Sequence, residues 1–275
     1  MMITRACISI NNRCNLSCKY CHFHEKKSIQ ENEMNVFHIL DNIMYHIDKQ
    51  KINQFKLGFV GNGEPLLDYA LLKEYILYIK EYLRTRKIAA YTITNGVLAD
   101  EEKLVFLHNN NINIGFSIDG IKEIHNKLRC NSYEQVMKGI NLFYNINGKY
   151  PSMNCTVGKD ILNHKEETIA FFEQFDNRVT FSRMIGKYGI TLAEFHGFME
   201  LATTKLNVRT GSYDCTMYGG LCAAGIDNIF YANGRIYICG NCIDLASLPS
   251  ETPLEKVDFG VKAFDRINCY KEVFA

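Results

Sequence analysis

Apolar residues along this chain alternate between two rhythms. Short runs dense in apolar and β-branched residues give way to longer stretches in which apolar positions recur every three or four residues, the patterns of strand and amphipathic helix. "TRACISI" reads as a strand and is followed by a cysteine-containing loop and the helical stretch "MNVFHILDNIMYHIDK". "FKLGFV" reads as a buried strand, followed by a Gly-rich turn and the helix "LLKEYILYIKEYLR". "AAYTIT" precedes "NG" and the helix "DEEKLVFLHNN", and "INIGFSI" precedes "DG" and "YEQVMKGINLFY". "SMNCTV" leads into "KEETIAFFEQF", and "RVTFS" is a sixth strand. Strands that alternate with helices form right-handed βαβ crossovers and a parallel sheet. About six such units make an α/β fold, a partial (β/α)6 TIM-like barrel short of the eight that close one. Ligands bind such sheets at the carboxyl ends of the strands. The cysteine loop, "GNGEP", "TNG" and "SIDG" all fall there.

Beyond about residue 185 the rhythm changes. A helical stretch near "TLAEFHGFMELATTKL" leads into a tail rich in Cys and Gly. Within it "IDNIFYANGRIYIC" has apolar runs on either side of Asn233-Gly234, the preferred pair for a type I′ hairpin turn. The expected organisation is a barrel core over 1–190 and a small Cys-rich extension with a β-hairpin over 191–275. No short-period repeat, low-complexity tract or Pro/Ser-rich linker interrupts this order.

Composition narrows the class. With 275 residues, 47% hydrophobic and 22% charged, the chain can bury a large core. A formal net charge of +1 gives no electrostatic case for a nucleic-acid or anionic-membrane partner. The N-terminus lacks an apolar stretch of signal-peptide length, and no run approaches the roughly 20 apolar residues of a membrane span. The expected location is the cytoplasm, where clustered cysteines serve as metal ligands or redox groups more often than as disulfides. The eleven cysteines form two groups, Cys14, Cys18 and Cys21, and Cys215, Cys222, Cys239 and Cys242. Cys7, Cys130, Cys155 and Cys269 are scattered, and the first three of these are read as small core hydrophobes.

Three cysteines within eight residues, "CNLSCKYC", leave a metal site one ligand short. His22 or His24 would complete a structural zinc site; alternatively, three thiolates hold an iron–sulfur cluster with one iron left open. Cys14-x3-Cys18-x2-Cys21, with Tyr20 before the third cysteine and the loop placed after the first strand, resembles the radical S-adenosylmethionine (SAM) superfamily. The resemblance covers roughly residues 3–185. It implies a [4Fe–4S] cluster whose open iron takes the amino and carboxylate groups of SAM, and cleavage of SAM to a 5′-deoxyadenosyl radical. "GNGEP" resembles the family's "GGEP" turn, with Asn62 in place of a glycine. Gly61 and Gly63 would let backbone approach the SAM ammonium, and Glu64 supplies charge. Thr94 and Asn95 of "TITNG" and Ser117 and Asp119 of "SIDG" are implied to lie near SAM or to face the substrate. Arg129 would pair with the SAM carboxylate; its alternative is a solvated arginine at a helix end.

The second group resembles the SPASM and shorter twitch extensions, in which C-x(9–15)-G-x4-C over a hairpin binds an auxiliary iron–sulfur cluster. Here Cys222, Gly234 and Cys239 match that spacing. The resemblance implies an auxiliary [4Fe–4S] cluster on Cys215, Cys222, Cys239 and Cys242, with Cys269 as the substitute ligand; a zinc ribbon is the alternative. "SIDGIKEIHNKLRCNSYEQVMKGI" resembles the same segment of maturases of sulfatases and ribosomally made peptides. The implied reaction is oxidative modification of a peptide, by crosslinking or dehydrogenation. One electron would pass to the auxiliary cluster, and an external donor such as flavodoxin or ferredoxin would reduce the first. In sulfatase-type relatives an Asp follows the Cys239-equivalent as base. Gly240 stands there in this chain, which leaves Asp244 as a weak candidate and argues against formylglycine formation. Cys14 lies close to the start of the sequence, where many peptide maturases carry a leader-binding module. A twitch-type dehydrogenase acting on a sugar or aminocyclitol is therefore the alternative enzyme, and a non-catalytic zinc or iron–sulfur protein the alternative outside enzymes.

Overall fold

Six parallel strands run side by side in chain order: β1 (Arg5–Ile8), β2 (Phe55–Phe59), β3 (Ile88–Thr94), β4 (Asn113–Ser117), β5 (Ser152–Val157) and β6 (Val179–Arg183). The computed structural model describes residues 2–21, 34–184, 186–208, 224–240 and 246–260. A sheet whose strand order never reverses has the order of a barrel, not of a doubly wound sheet. At its β1 edge it continues through β7 (Asn228–Ala232), parallel to β1, and then antiparallel β8 (Arg235–Tyr237) and β9 (Ser247–Pro249), giving nine strands. Asn233 and Gly234 form the β7–β8 turn with φ 51 and φ 71, the two positive values a type I′ turn requires.

The helices pack where the periodicity placed them. They are α1 (Val36–Gln50), α2 (Tyr69–Tyr78), α3 (Lys80–Arg84), α4 (Glu101–Asn109), α5 (Lys122–Leu128), α6 (Tyr133–Asn147), α7 (Lys159–Leu162), α8 (Lys165–Glu173) and α9 (Leu192–Lys205). In α1 the apolar stripe Val36, Ile39, Leu40, Ile43 and Ile47 is buried, and Asn35 caps the first turn by accepting from the His38 N–H. In α9, Thr191 and Glu194 close a capping box. The long helix expected over "LLKEYILYIKEYLR" breaks in two at buried Ile79 (φ -97, ψ 14). Among the described residues no helix is long and apolar enough to cross a membrane.

Alternation along the strands separates two faces. Ile88, Ala90, Thr92 and Thr94 of β3 are buried, whereas Ala89, Tyr91 and Ile93 between them are only half-buried. Residues 5–8 of β1 repeat the pattern, with Ala6 and Ile8 in the main core. One face of the sheet therefore meets the helices, and the other lines the inside of the partial barrel. Strand register sets Phe230, Cys7, Gly58, Tyr91 and Asn113 in one row across that inner face. Cys7 packs there with Phe230, Ala232 and Tyr237.

Candidate active site

The loop after β1 is held by the turn after β2. Asn11 donates from Nδ2 to the Glu64 carbonyl (3.0 Å), Glu64 N–H donates to the Arg13 carbonyl (2.8 Å), and Asn62 N–H donates to Ser9 Oγ (2.9 Å). Arg13 adds an ion pair to Asp68. The loop lies so close that Gly61 and Gly63 have no room for a side chain. A Cβ on Gly61 would stand 2.8 Å from the Ser9 Cα, and one on Gly63 only 1.8 Å from Asn11 Oδ1 and 2.5 Å from the Arg13 carbonyl. These glycines thus serve loop-on-turn packing, a use not visible in the motif itself. Gly63→Ala is expected to push the cysteine loop off the turn. The cost of such overpacking is about 1–3 kcal/mol, to be read by urea unfolding, with lowered iron content on reconstitution.

Glu64 lies under this turn, 3% exposed. Its carboxylate accepts from Thr94 Oγ1 (2.7 Å), Asn95 N–H (2.7 Å) and Leu66 N–H (3.0 Å), which ties the ends of β2 and β3 together. Burial raises its pKa, and these three donors oppose the rise. Asn95 donates onward from Nδ2 to Asn15 Oδ1 (2.8 Å) and toward Cys14 Sγ (3.7 Å), and Leu16 N–H points at the same sulfur (3.4 Å).

On the other side of the loop, Tyr20 donates to Asp119 Oδ2 (2.6 Å) and accepts from Arg129 Nη1 (2.6 Å). Arg129 and Asp119 also form an ion pair (3.7 Å), and both are buried. Arg129 is therefore not a solvated helix-end residue. Its Nε is buried and has no hydrogen-bond partner among the described residues. Asp119 Oδ1 accepts from Thr156 N–H (3.0 Å), which joins β4 to β5. Ser117, at the end of β4, is half-buried and stands opposite Asn154.

His125 supports this group from beneath. Its Nδ1 accepts from Asp119 N–H (3.2 Å), so the proton sits on Nε2, which faces Ser132 Oγ (3.0 Å); Ser132 donates to the Arg129 carbonyl (2.6 Å). Burial, with Arg129 nearby, lowers the His125 pKa to about 3. A histidine kept neutral when folded takes up its proton on unfolding, from the ordinary value of 6.5 downward. This contribution to stability is complete above pH 6.5 and is lost as pH falls toward 3, by at most about 1.4 kcal/mol per pH unit. His125→Gln is expected to flatten that part of the stability profile in urea titrations between those limits.

Cys14, Cys18 and Cys21 are partly exposed at the mouth these elements form. Burial raises the Cys14 thiol and pushes the Cys18 thiol up to about 11, so both sulfurs keep their protons until a thiophilic metal displaces them. Cys21 acts on both electrostatically. Among the described residues no three His, Cys, Asp or Glu groups converge to hold a single metal ion. Thiolates on one tetrahedral ion crowd around bonds of about 2.3 Å, whereas those on a cubane are held apart at separate irons. Three sulfurs on one loop, two N–H donors aimed at Cys14 and an unpartnered guanidinium nitrogen together suit an anionic, sulfur-ligated group with a polar cofactor beside it.

Two features escaped the sequence reading. Asn62 donates to Asn12 Oδ1 (3.2 Å), and Asn12 donates to Asn233 Oδ1, so an amide chain links the β2 turn, the cysteine loop and the β7–β8 hairpin. On the inner face, Cys7 Sγ lies 3.2 Å from the Tyr91 hydroxyl, and Lys56 Nζ stands 5.4 Å from the Tyr91 ring. Of the scattered cysteines, Cys155 is buried as expected, Cys7 is half-buried, and Cys130 is exposed. Cys239 follows β8 by two residues and acts electrostatically on Cys7. Cys215, Cys222, Cys242, Asp244 and Cys269, with His22 and His24, lie outside the described residues.

Known proteins resemble this chain in the same places. Residues 8–172 match the family model described as Radical SAM superfamily. The chain belongs to that superfamily, whose enzymes use a [4Fe–4S] cluster and SAM. It is 30% identical over 198 residues to a serine-type anaerobic sulfatase-maturating enzyme of Bacteroides thetaiotaomicron, covering 66% of this chain and 48% of the relative. It is 28% identical over 178 residues to the cysteine-type enzyme of Clostridium novyi, covering 61% and 47%. The chain thus spans about half the length of these curated relatives. In fold it is similar to native anSMEcpe with bound AdoMet (TM-score 0.74, 19% identity, 98% of this chain and 82% of that one). It is also similar to Streptococcus suis SuiB bound to precursor peptide SuiA (TM-score 0.71, 16% identity, 97% and 66%).

Proposed function

We propose that this chain is a radical SAM enzyme that oxidatively modifies a peptide. The observation that carries the reading is the assembly at one mouth of the cysteine loop, the Glu64 turn, Asn95 and the Tyr20–Asp119–Arg129 group, joined by the bonds above. Cys14, Cys18 and Cys21 hold the cluster. Gly61 to Glu64, Thr94, Asn95, Ser117, Asp119 and Arg129 shape the SAM pocket around it. When bound, the cluster supplies the electron that cleaves SAM, and the fragment released takes a hydrogen atom from the substrate.

The protein's own groups orient and insulate. Glu64 fixes the heights of the β2 and β3 turns relative to each other, so the loop carrying Cys14 cannot shift alone. Asn95 and Leu16 N–H point at the Cys14 sulfur and stabilise its thiolate when iron is bound. Arg129, buried beside Tyr20 and Asp119, adds positive charge near Cys18.

Two observations support a peptide substrate. Sulfatase-maturating enzymes are among the relatives that match by sequence, and Ser117, Asn154 and Thr180 stand in one register row of half-buried polar groups across β4, β5 and β6, suited to bonding backbone amides. Cys215, Cys222, Cys239 and Cys242 would hold an auxiliary cluster, which would supply an acceptor for the second electron; Cys239, two residues past β8 in the I′ hairpin whose β7 pairs with β1, supports that reading. The test is to incubate reconstituted protein, SAM and a strong reductant anaerobically with short peptides encoded beside the gene. A mass loss of two hydrogens confined to the peptide agrees. SAM cleavage stimulated only by sugar or aminocyclitol alcohols contradicts the peptide assignment.

A further inference from the structure

A fourth sulfur stands against the cysteine loop. Cys130 is exposed, and its Sγ accepts the backbone N–H of Ser17 (3.3 Å), the residue before Cys18. Two residues on, Lys19 N–H donates to the Leu128 carbonyl (2.9 Å). Residues 17–19 therefore lie along 128–130, bonded on both sides of Cys18, and the segment carrying Cys130 is fixed in place. Asn131 N–H donates to the Asn126 carbonyl (3.1 Å) and Ser132 N–H to the Arg129 carbonyl (3.2 Å), holding Cys130 and Asn131 at φ 56 and φ 55. Both Cys21 and Cys130 act electrostatically on Cys18, whereas Cys14 is affected by Cys21 and not by Cys130. This sulfur lies on the Cys18 side of the loop, and nothing in the catalytic reading uses it.

We propose that Cys130 is the redox partner of Cys18, and that in cluster-free protein a peroxide joins them in a disulfide that closes the loop to iron. The exposed Cys130 sulfur attacks the O–O bond of hydrogen peroxide, forming an S–O bond while hydroxide leaves and is protonated to water. Cys18 then attacks that sulfur, its thiol proton passing to the departing oxygen, which leaves as a second water. Two thiols and one peroxide become one disulfide and two waters, so the protein loses two electrons and the peroxide gains them. The pairing stands on the loop geometry alone; its consequence for cluster loading rests on the reading of Cys14, Cys18 and Cys21 as ligands. A chain that has lost its cluster to oxidant would then be held in a form that a thiol reductant restores, protected from further oxidation of Cys18.

The experiment uses the full chain, stripped of metal under reducing conditions, then treated with one equivalent of hydrogen peroxide. It is next blocked with N-ethylmaleimide and mapped by peptide mass spectrometry. The expected result is a Cys18–Cys130 linked peptide as the main product. Loss of brown iron–sulfur absorbance on reconstitution should accompany it, with full recovery after thiol reduction. Cys130→Ser and Cys130→Gly, the latter suited to the positive φ, should take up the cluster after the same treatment. A main product linking Cys18 to Cys21, a singly blocked Cys130, or undiminished loading of the linked protein would overturn the proposal. If reduced, never-oxidised protein takes up no cluster, the ligand reading fails, while the peptide map still decides the pairing.

Discussion

Cys14→Ala, Cys18→Ala and Cys21→Ala are each expected to abolish 5′-deoxyadenosine release and to remove the cluster of the barrel loop. A cubane held by three thiolates loses a whole corner with each change. The same variants should unfold much like the parent chain in metal-free urea titrations. The three side chains are partly exposed, and among the described contacts theirs are few. Iron and sulfide analysis against the parent checks the first part. If four cysteines of the tail hold a second cluster, the variants should retain part of their iron, and loss of all of it would contradict two independent sites. Retention of full iron and full SAM cleavage in any one of the three would remove that cysteine from the ligand set.

Arg129→Met should produce the largest loss of stability. Arg129 and Asp119 are 7% and 0% exposed, and the substitution leaves the Asp119 carboxylate buried beside Tyr20 with no cation. Removing one member of a buried ion pair costs about 3–5 kcal/mol, mainly because the other charge is stranded. Adding Asp119→Asn in the same chain should recover part of that loss, and urea unfolding of the two single variants and the double variant measures the coupling. Additive losses would mean that the pair is not the unit described here. Arg129→Lys should fall between the extremes, since an ammonium keeps the charge but cannot direct one nitrogen to Tyr20 while presenting Nε elsewhere.

The strands and most helices were legible because they depend on local period. The buried runs of β1 to β6 and the Asn233-Gly234 turn are readable within a few residues each. What sequence left hidden is nonlocal. The pattern "IDNIFYANGRIYIC" specifies a hairpin but not that β7 will pair with β1, a choice made by matching Ile229 and Tyr231 to the main core. Gly61 and Gly63 read as a cradle for a cofactor, yet the atoms nearest them belong to Ser9, Asn11 and Arg13, some fifty residues earlier. Ile79 looks like any other apolar helix position, and the break there has no Pro or Gly to announce it. By residue type alone Arg129 reads as a partner for the SAM carboxylate, with a solvated arginine as the alternative, and Cys130 as a core cysteine. Their actual settings, one buried and one exposed, come from the close approach of residues 17–20 to 128–130. The inner-face pair of Cys7 and Tyr91 could have been found by following period two along β1 and β3 toward the mouth.

The central claim is that these strand ends bind a cluster and SAM and cleave SAM by one-electron reduction. The most direct measurement is 5′-deoxyadenosine and methionine formed from SAM by anaerobically reconstituted protein with dithionite, followed by chromatography. The account predicts both products in equal amounts, dependent on iron, sulfide and reductant, and absent from the Cys18→Ala variant. A protein that binds zinc in place of the cluster, or that carries an intact cluster and yields neither product, would contradict it.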